Sequence, residues 1–168
     1  MRRSVARLRG LGFILWQARH YAYHIMVGLV WAWALREYWQ EFNVRWVWSA
    51  IAGSIIPDLD HIMYFFTYGR RDWYTKQIRN FLREHEWRTL TKFVATGHKY
   101  NTSLATHNYY FMVFLAIIAI GSLVYDWKAG VVLFGAMVLH YLFDVWDDIA
   151  MLGKVNSNWR RVWKPKKI

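Results

Sequence analysis

Imidazoles and carboxylates recur in this sequence inside stretches that are otherwise apolar. His24 lies near the start of Tyr21 to Trp39, and Asp58, Asp60 and His61 interrupt Arg45 to Tyr68. His107 falls early in Ser103 to Tyr125, and His140 and Asp144 fall in the second half of Ala129 to Leu152. On a helix, His140 and Asp144 at four apart and Asp58 and His61 at three apart each share a face, so either pair could bind one ion or bridge two. Neutral imidazole and carboxylate are good ligands for Zn²⁺, the first expectation, and also suit Mn²⁺ or Fe²⁺. The chain has no Cys. That excludes disulfides, thiolate zinc sites and cysteine nucleophiles, and leaves any metal to His and carboxylate ligands. His24, Asp58, His61, His107, His140 and Asp144 are enough for one metal, or for two sharing a bridging carboxylate.

The segments that must position these residues read as helices. Ser103 to Tyr125 runs 23 residues with His107 as its one charge-bearing candidate, which meets the roughly 20 residues needed to cross a bilayer core. The other three stretches come close in length but carry the ionisable residues above. Pro57 should interrupt or start a helix beside Asp58, freeing backbone groups that a polar cavity could satisfy and lipid could not. The expectation is a single all-α domain over residues 1–168, an integral membrane four-helix bundle with spans at about 21–39, 45–68, 103–125 and 129–152.

Charge decides between that reading and a soluble helical protein. Over 168 residues the formal charge is +11, with 22 Lys and Arg. Of these, 19 fall in residues 1–20, 69–102 and 153–168, the three segments that a four-span chain places on one side. This is the positive-inside pattern, so both termini are expected in the cytoplasm and, in a bacterium, the chain in the inner membrane. Basic residues sorted by topology do not form a nucleic-acid module, so no nucleic-acid partner is expected. With 33 Phe, Trp and Tyr, extensive disorder is excluded. Met1 to Ala18 reads as an amphipathic interfacial helix, Arg70 to Thr96 as a second on the cytoplasmic surface, and the tail from Trp159 as a loose basic anchor.

These residues carry a resemblance. His24 with its apolar helix, Pro57-Asp58-Leu59-Asp60-His61, Ala105-Thr106-His107-Asn108 and His140-Tyr141-Leu142-Phe143-Asp144 resemble the YdjM-like family of membrane-bound metal-dependent hydrolases over about residues 20 to 150. That family is distantly similar to zinc-dependent phospholipase C, which holds metals with His and Asp. The resemblance implies ligand roles for His24, Asp58, His61, His107, His140 and Asp144. It also directs attention to His98, Lys99 and Asn108 as residues on the substrate side.

The functional expectation is a hydrolase cleaving a phosphoester of a phospholipid or related lipid at the cytoplasmic leaflet. Asp60 and Asp147, with Asp148, are the candidates for general base or for orienting the histidines. Lys99 and the arginines of residues 70–96 would attract anionic phospholipid headgroups. Two rival classes share the same residues: a metal or proton transporter, and a catalytically inactive membrane assembly subunit. A transporter requires polar residues through the whole membrane depth, whereas Val27 to Leu35, Trp46 to Ile55, Val113 to Leu123 and Val131 to Leu139 are almost entirely apolar.

Overall fold

The computed structural model describes the backbone of residues 2–101 and 103–160, with side chains apart from those of residues 2–13, 16, 17, 95, 96 and 98–101. Among these residues the chain is all-helical. The α-helices are α1 (Arg2–Trp39), α2 (Val44–Ile55), α3 (Leu59–Phe66), α4 (Trp73–Arg83), α5 (Trp87–Asn101), α6 (Tyr109–Val124) and α7 (Lys128–Leu152), with 3-10 turns at Ile56–Asp58 and Ser157–Arg160.

Local chemistry sets most of the boundaries. No proline falls within α1, so the expected division between an interfacial segment and a span at Tyr21 is absent and the helix runs through it. Asn43 caps α2, its side chain accepting from Arg45 N at 2.9 Å. Pro57 cannot donate to the α2 ladder, so the chain tightens into a 3-10 turn and resumes as α3. The expected second span at 45–68 is therefore two helices with a break between them. Residues 70–96, expected as one helix, are also two: α4 ends at Glu84, and His85 takes φ 58° before α5 begins. α6 starts at Tyr109 because Asn108 is its cap, accepting from Phe111 N at 2.9 Å, so residues 103–108 precede the helix. Gly153, at φ 67°, ends α7 in the left-handed conformation that favours glycine.

Among the described residues, Lys128–Leu152 is the one helix long and apolar enough to cross a membrane. Tyr109–Val124 is apolar but, at 16 residues, shorter.

α7 packs against α1, α2 and α6, α1 packs against α2, and the α4–α5 hairpin reaches α1 through α5. At one end of the bundle Ala32, Leu35, Trp46, Ala50, Val131 and Val132 form a dry core. There Lys128 Nζ also meets Glu41 Oε2 at 2.8 Å, tying the α1–α2 connection to the start of α7. Small residues bring the helix backbones together next to this core. A Cβ on Gly53 would collide with the Leu133 carbonyl oxygen and lie 2.9 Å from Ala136 Cβ, while one on Gly28 would collide with Ser54 Oγ and lie 3.0 Å from the Ala50 carbonyl. Such close crossings gain van der Waals contact along the helices and fix their register.

Because the obstacle at Gly53 is backbone, a larger side chain there must separate α2 from α7. Gly53→Leu is expected to destabilise the fold by about 1–3 kcal/mol or more, seen as a lowered Tm of the detergent-purified protein, whereas Gly121→Ala, which meets nothing within 4 Å, should leave Tm within a degree or two.

Candidate metal centre

At the opposite end of the bundle from the dry core, five segments converge on one polar cluster. α1 supplies His20 and His24. The 3-10 turn supplies Asp58, and α3 supplies Asp60 and His61. The loop before α6 supplies His107, and α7 supplies His140 and Asp144. His24, Asp58, Asp60, His107 and His140 are buried.

The separations within the cluster are informative. His24 Nε2 lies 3.3 Å from Asp144 Oδ1. Asp144 Oδ2 lies 3.3 Å from His140 Nε2 and 3.7 Å from His107 Nε2. Asp58 Oδ1 lies 3.7 Å from His140 Nε2 and 3.6 Å from His61 Nδ1. Direct hydrogen bonds of this type are shorter, near 2.7–2.9 Å when charge-assisted. Four ligands about 2.0–2.1 Å from one tetrahedral Zn²⁺ would instead stand about 3.3–3.4 Å apart, close to the distances here. Both ring nitrogens of His24 and of His107, Nε2 of His140 and Oδ2 of Asp58 are buried without a hydrogen bond. Polar atoms in that condition are costly unless something else satisfies them, and a divalent cation accepts electron pairs from all of these groups. The residues present therefore fit a metal. Asp58, His107 and His140 form one fully buried set that could hold an ion, and His20, His24 and Asp144 form a second.

Two histidines have their free nitrogen selected by a partner on the other. His140 Nδ1 is 2.8 Å from the Ser54 carbonyl oxygen. A carbonyl can only accept, so Nδ1 carries the proton and Nε2 presents its electron pair to Asp58 and Asp144. That carbonyl is available because it belongs to the last turn of α2, where intrahelical partners run out. His107 Nδ1 faces Asp60 Oδ2 at 3.5 Å, which likewise turns Nε2 toward Asp144. Asp60 is held in turn by Thr106, whose backbone N and Oγ1 donate at 2.7 and 2.9 Å, and by the Tyr68 hydroxyl. The ring of His24 stacks on that of His140 with centroids 3.8 Å apart.

The six expected ligands thus come together, although His107 stands in the loop ahead of α6 rather than one turn inside a helix. Asp60 joins them from behind His107, with its oxygens engaged by Thr106, Tyr68 and His107. Asp147 is half-buried on α7, three residues beyond Asp144. Both ends of the Asn108 amide are committed to the backbone, Oδ1 to Phe111 N and Nδ2 to the Ala105 carbonyl at 2.8 Å. The side chains of His98 and Lys99 lie outside the described residues. His20, not among the expected ligands, also reaches the cluster, with Nε2 3.9 Å from Asp58 Oδ2 and its ring 4.4 Å from that of His24. Its spacing of four from His24 is the same signal that marked His140 and Asp144. Burial lowers the His20 pKa, and the neighbouring His24 adds to the shift, favouring the neutral form that can act as a ligand.

A helical bundle with a buried His and Asp centre at one end defines a class of protein able to hold divalent metal within apolar surroundings. Within that class the chain belongs to the YdjM inner membrane protein family, whose sequence model matches residues 20–151. No curated protein and no solved structure matches it.

Of the tail expected to be loose, Trp159 is held in place, and residues 161–168 lie outside the described residues. Asp148 is buried, and its Oδ2 accepts from Trp159 Nε1 at 2.9 Å and from Asn156 N at 3.1 Å. Trp159 is itself buried, packed 5.7 Å from Tyr109, 5.8 Å from Tyr141 and 6.2 Å from His107, centroid to centroid. Asp148 therefore anchors a cover over the His107 side of the centre. Trp159→Ala should cost about 3–5 kcal/mol as a core cavity and increase diethyl pyrocarbonate labelling of His107, read by peptide mass spectrometry. Unchanged labelling and an unchanged Tm would show that the indole does not cover that side.

Proposed function

We propose that the chain is a membrane-embedded, metal-dependent hydrolase that cleaves a phosphoester of a phospholipid or related lipid at the cytoplasmic leaflet. The observation that carries this reading is the convergence of buried imidazole nitrogens and carboxylate oxygens, unsatisfied by hydrogen bonds, at separations suited to metal ligands. Asp58, His107 and His140 would hold an ion, with Asp144 and His24 beside them and His61 at the margin. The donor set favours Zn²⁺, with Mn²⁺ or Fe²⁺ as alternatives. A divalent cation in such a shell supplies Lewis-acid polarisation of a phosphoryl oxygen and acidifies a water ligand.

The chain's own residues divide the remaining work. Ser54 and Asp60 orient His140 and His107, which makes Asp60 a positioning residue. Asp147, half-buried on the same helix as Asp144, is the candidate proton acceptor. Trp159 and Tyr141 wall one side against water. Exposed Lys76, Arg79, Arg83 and Arg88 on α4 and α5 would gather anionic headgroups, each contributing about 1 kcal/mol near a charged surface.

Membrane embedding is supported by the family and by what the bundle exposes. Met26, Val30 and Trp33 on α1, Ile117 and Ile120 on α6, and Trp146 on α7 all face outward. An apolar exterior of this extent marks a surface that meets lipid or another protein. Four spans with cytoplasmic termini remain the topology that explains the sorting of basic residues. The dry core of Ala32, Leu35, Trp46 and Val132 beyond the centre interrupts any polar path to the far end, which favours hydrolysis over transport.

The test is headgroup release from anionic phospholipid vesicles by the reconstituted protein with Zn²⁺ or Mn²⁺. Chelation, His140→Ala or Asp58→Ala should each reduce release at least about a thousandfold, and Asp60→Asn about 10–100-fold, as for a group that orients a ligand. Full activity in His140→Ala and Asp58→Ala would remove the centre from the reaction. A metal-loaded wild-type protein that releases nothing from any phospholipid would favour an assembly role instead.

A further inference from the structure

The two candidate ligand sets are related by the carboxylates between them. Asp144 turns Oδ2 toward His140 and His107, at 3.3 and 3.7 Å, and Oδ1 toward His24 at 3.3 Å. Asp58 does the same in the other direction, with Oδ1 3.7 Å from His140 Nε2 and Oδ2 3.9 Å from His20 Nε2. One oxygen of each carboxylate therefore faces the His107–His140 pair, and the other faces the His20–His24 pair. Each pair thereby has two imidazoles and two carboxylate oxygens beside it, enough protein ligands to hold one ion apiece.

We infer that the centre is built as two ion subsites bridged by both Asp58 and Asp144, and that His20 is a ligand of the second. This rests on the metal-centre reading above and adds a residue and an ion to it. The subsites are not equivalent. His107 and His140 have 7% and 0% of their side chains exposed, so the inner subsite is closed. His20 is 37% exposed while its neighbour His24 is 0% exposed, so the second subsite opens to the outside on the His20 side. An ion there exchanges more readily and is the one with room for an external ligand.

Charge supports the count. With Asp60 behind His107, three carboxylates set among neutral imidazoles leave a formal charge of −3 at the centre, which one divalent ion does not offset and two reverse. A centre with a net positive charge recognises an anion. The second ion thus turns an acidic cluster, which would repel a phosphate, into one that attracts it.

The test uses the detergent-purified full chain, stripped with chelator and titrated with Zn²⁺ for elemental stoichiometry and with Mn²⁺ for electron paramagnetic resonance. The wild type should bind two ions per chain and, fully loaded with Mn²⁺, show the spin-coupled spectrum of a carboxylate-bridged pair. In His20→Ala the second ion should bind at least about 100-fold more weakly, since a direct ligand should cost no less than the 10–100-fold lost with an orienting partner. The spectrum should then collapse to isolated Mn²⁺. His20→Glu, which restores a ligand atom, should recover two coupled ions. If His20→Ala still holds two coupled ions at wild-type affinity, His20 is not a ligand and the inference is wrong. A wild type that binds a single ion, lost in His140→Ala, would overturn the second subsite and leave the metal centre standing. A wild type that binds none would overturn both.

Discussion

The rest of the structure is arranged around two carboxylates set among apolar helices, Asp58 buried and Asp144 with 17% of its side chain exposed. An ionised carboxylate withdrawn from water costs several kcal/mol unless it is paired and hydrogen-bonded. Here the nearest neighbours are imidazoles at 3.3–3.9 Å, whose neutral forms offer no positive charge. Compensation must come from protons on the rings or from a cation between them. Elements that would otherwise run straight are broken where they approach the pair. α2 gives way to a 3-10 turn ending at Asp58, and the chain before α6 stays non-helical through His107, each break placing a polar group where a continuous helix would have placed a different face.

The two ends of the bundle have complementary tasks. At the dry end, glycines let α1, α2 and α7 approach until their backbones touch, which leaves little freedom of register. That rigidity is transmitted over a short path. Gly53 fixes α2 against α7, and Ser54, the next residue, offers its carbonyl to His140 on α7 at 2.8 Å. Three residues further, Pro57 turns the chain so that Asp58 faces the same imidazole. Close packing and ligand orientation are therefore adjacent steps along one strip of the α2–α7 contact, and the site's geometry follows from how near the two backbones can lie.

Much of the candidate site was legible because its signals are local. Asp58 with His61 and His140 with Asp144 announce themselves by helical spacing, and Pro57 by its missing donor. His20 carried the same four-residue spacing to His24, but a His near a span end has a common interfacial explanation, and only the fold brings Asp58 opposite it. Boundaries were harder to read for a related reason. Ser103 to Ala105 are small or apolar, so hydropathy extends past the true start of α6; the cap signal, Asn108 before an apolar run, was present and was outweighed by length. The break at His85 has no glycine or proline to mark it. The tail read as loose because Lys and Arg dominate it, whereas Trp159 finds Asp148 only after α7 has ended at Gly153 and the chain has turned back.

The net charge of +11 gains a structural meaning from these placements. Acidic residues are few, and among the described residues three of them, Asp58, Asp60 and Asp144, are drawn into the centre while basic residues stay on exposed faces of α4 and α5. Opposite charges are thus separated by depth: carboxylates inside, cations around them. Without bound cations, an anionic lipid gathered by the basic hairpin would meet repulsion at the centre it was steered toward. Under the proposed reading, steering and catalysis agree in sign only when the centre is loaded, so the outer basic surface and the inner carboxylates are parts of one electrostatic arrangement rather than two independent features.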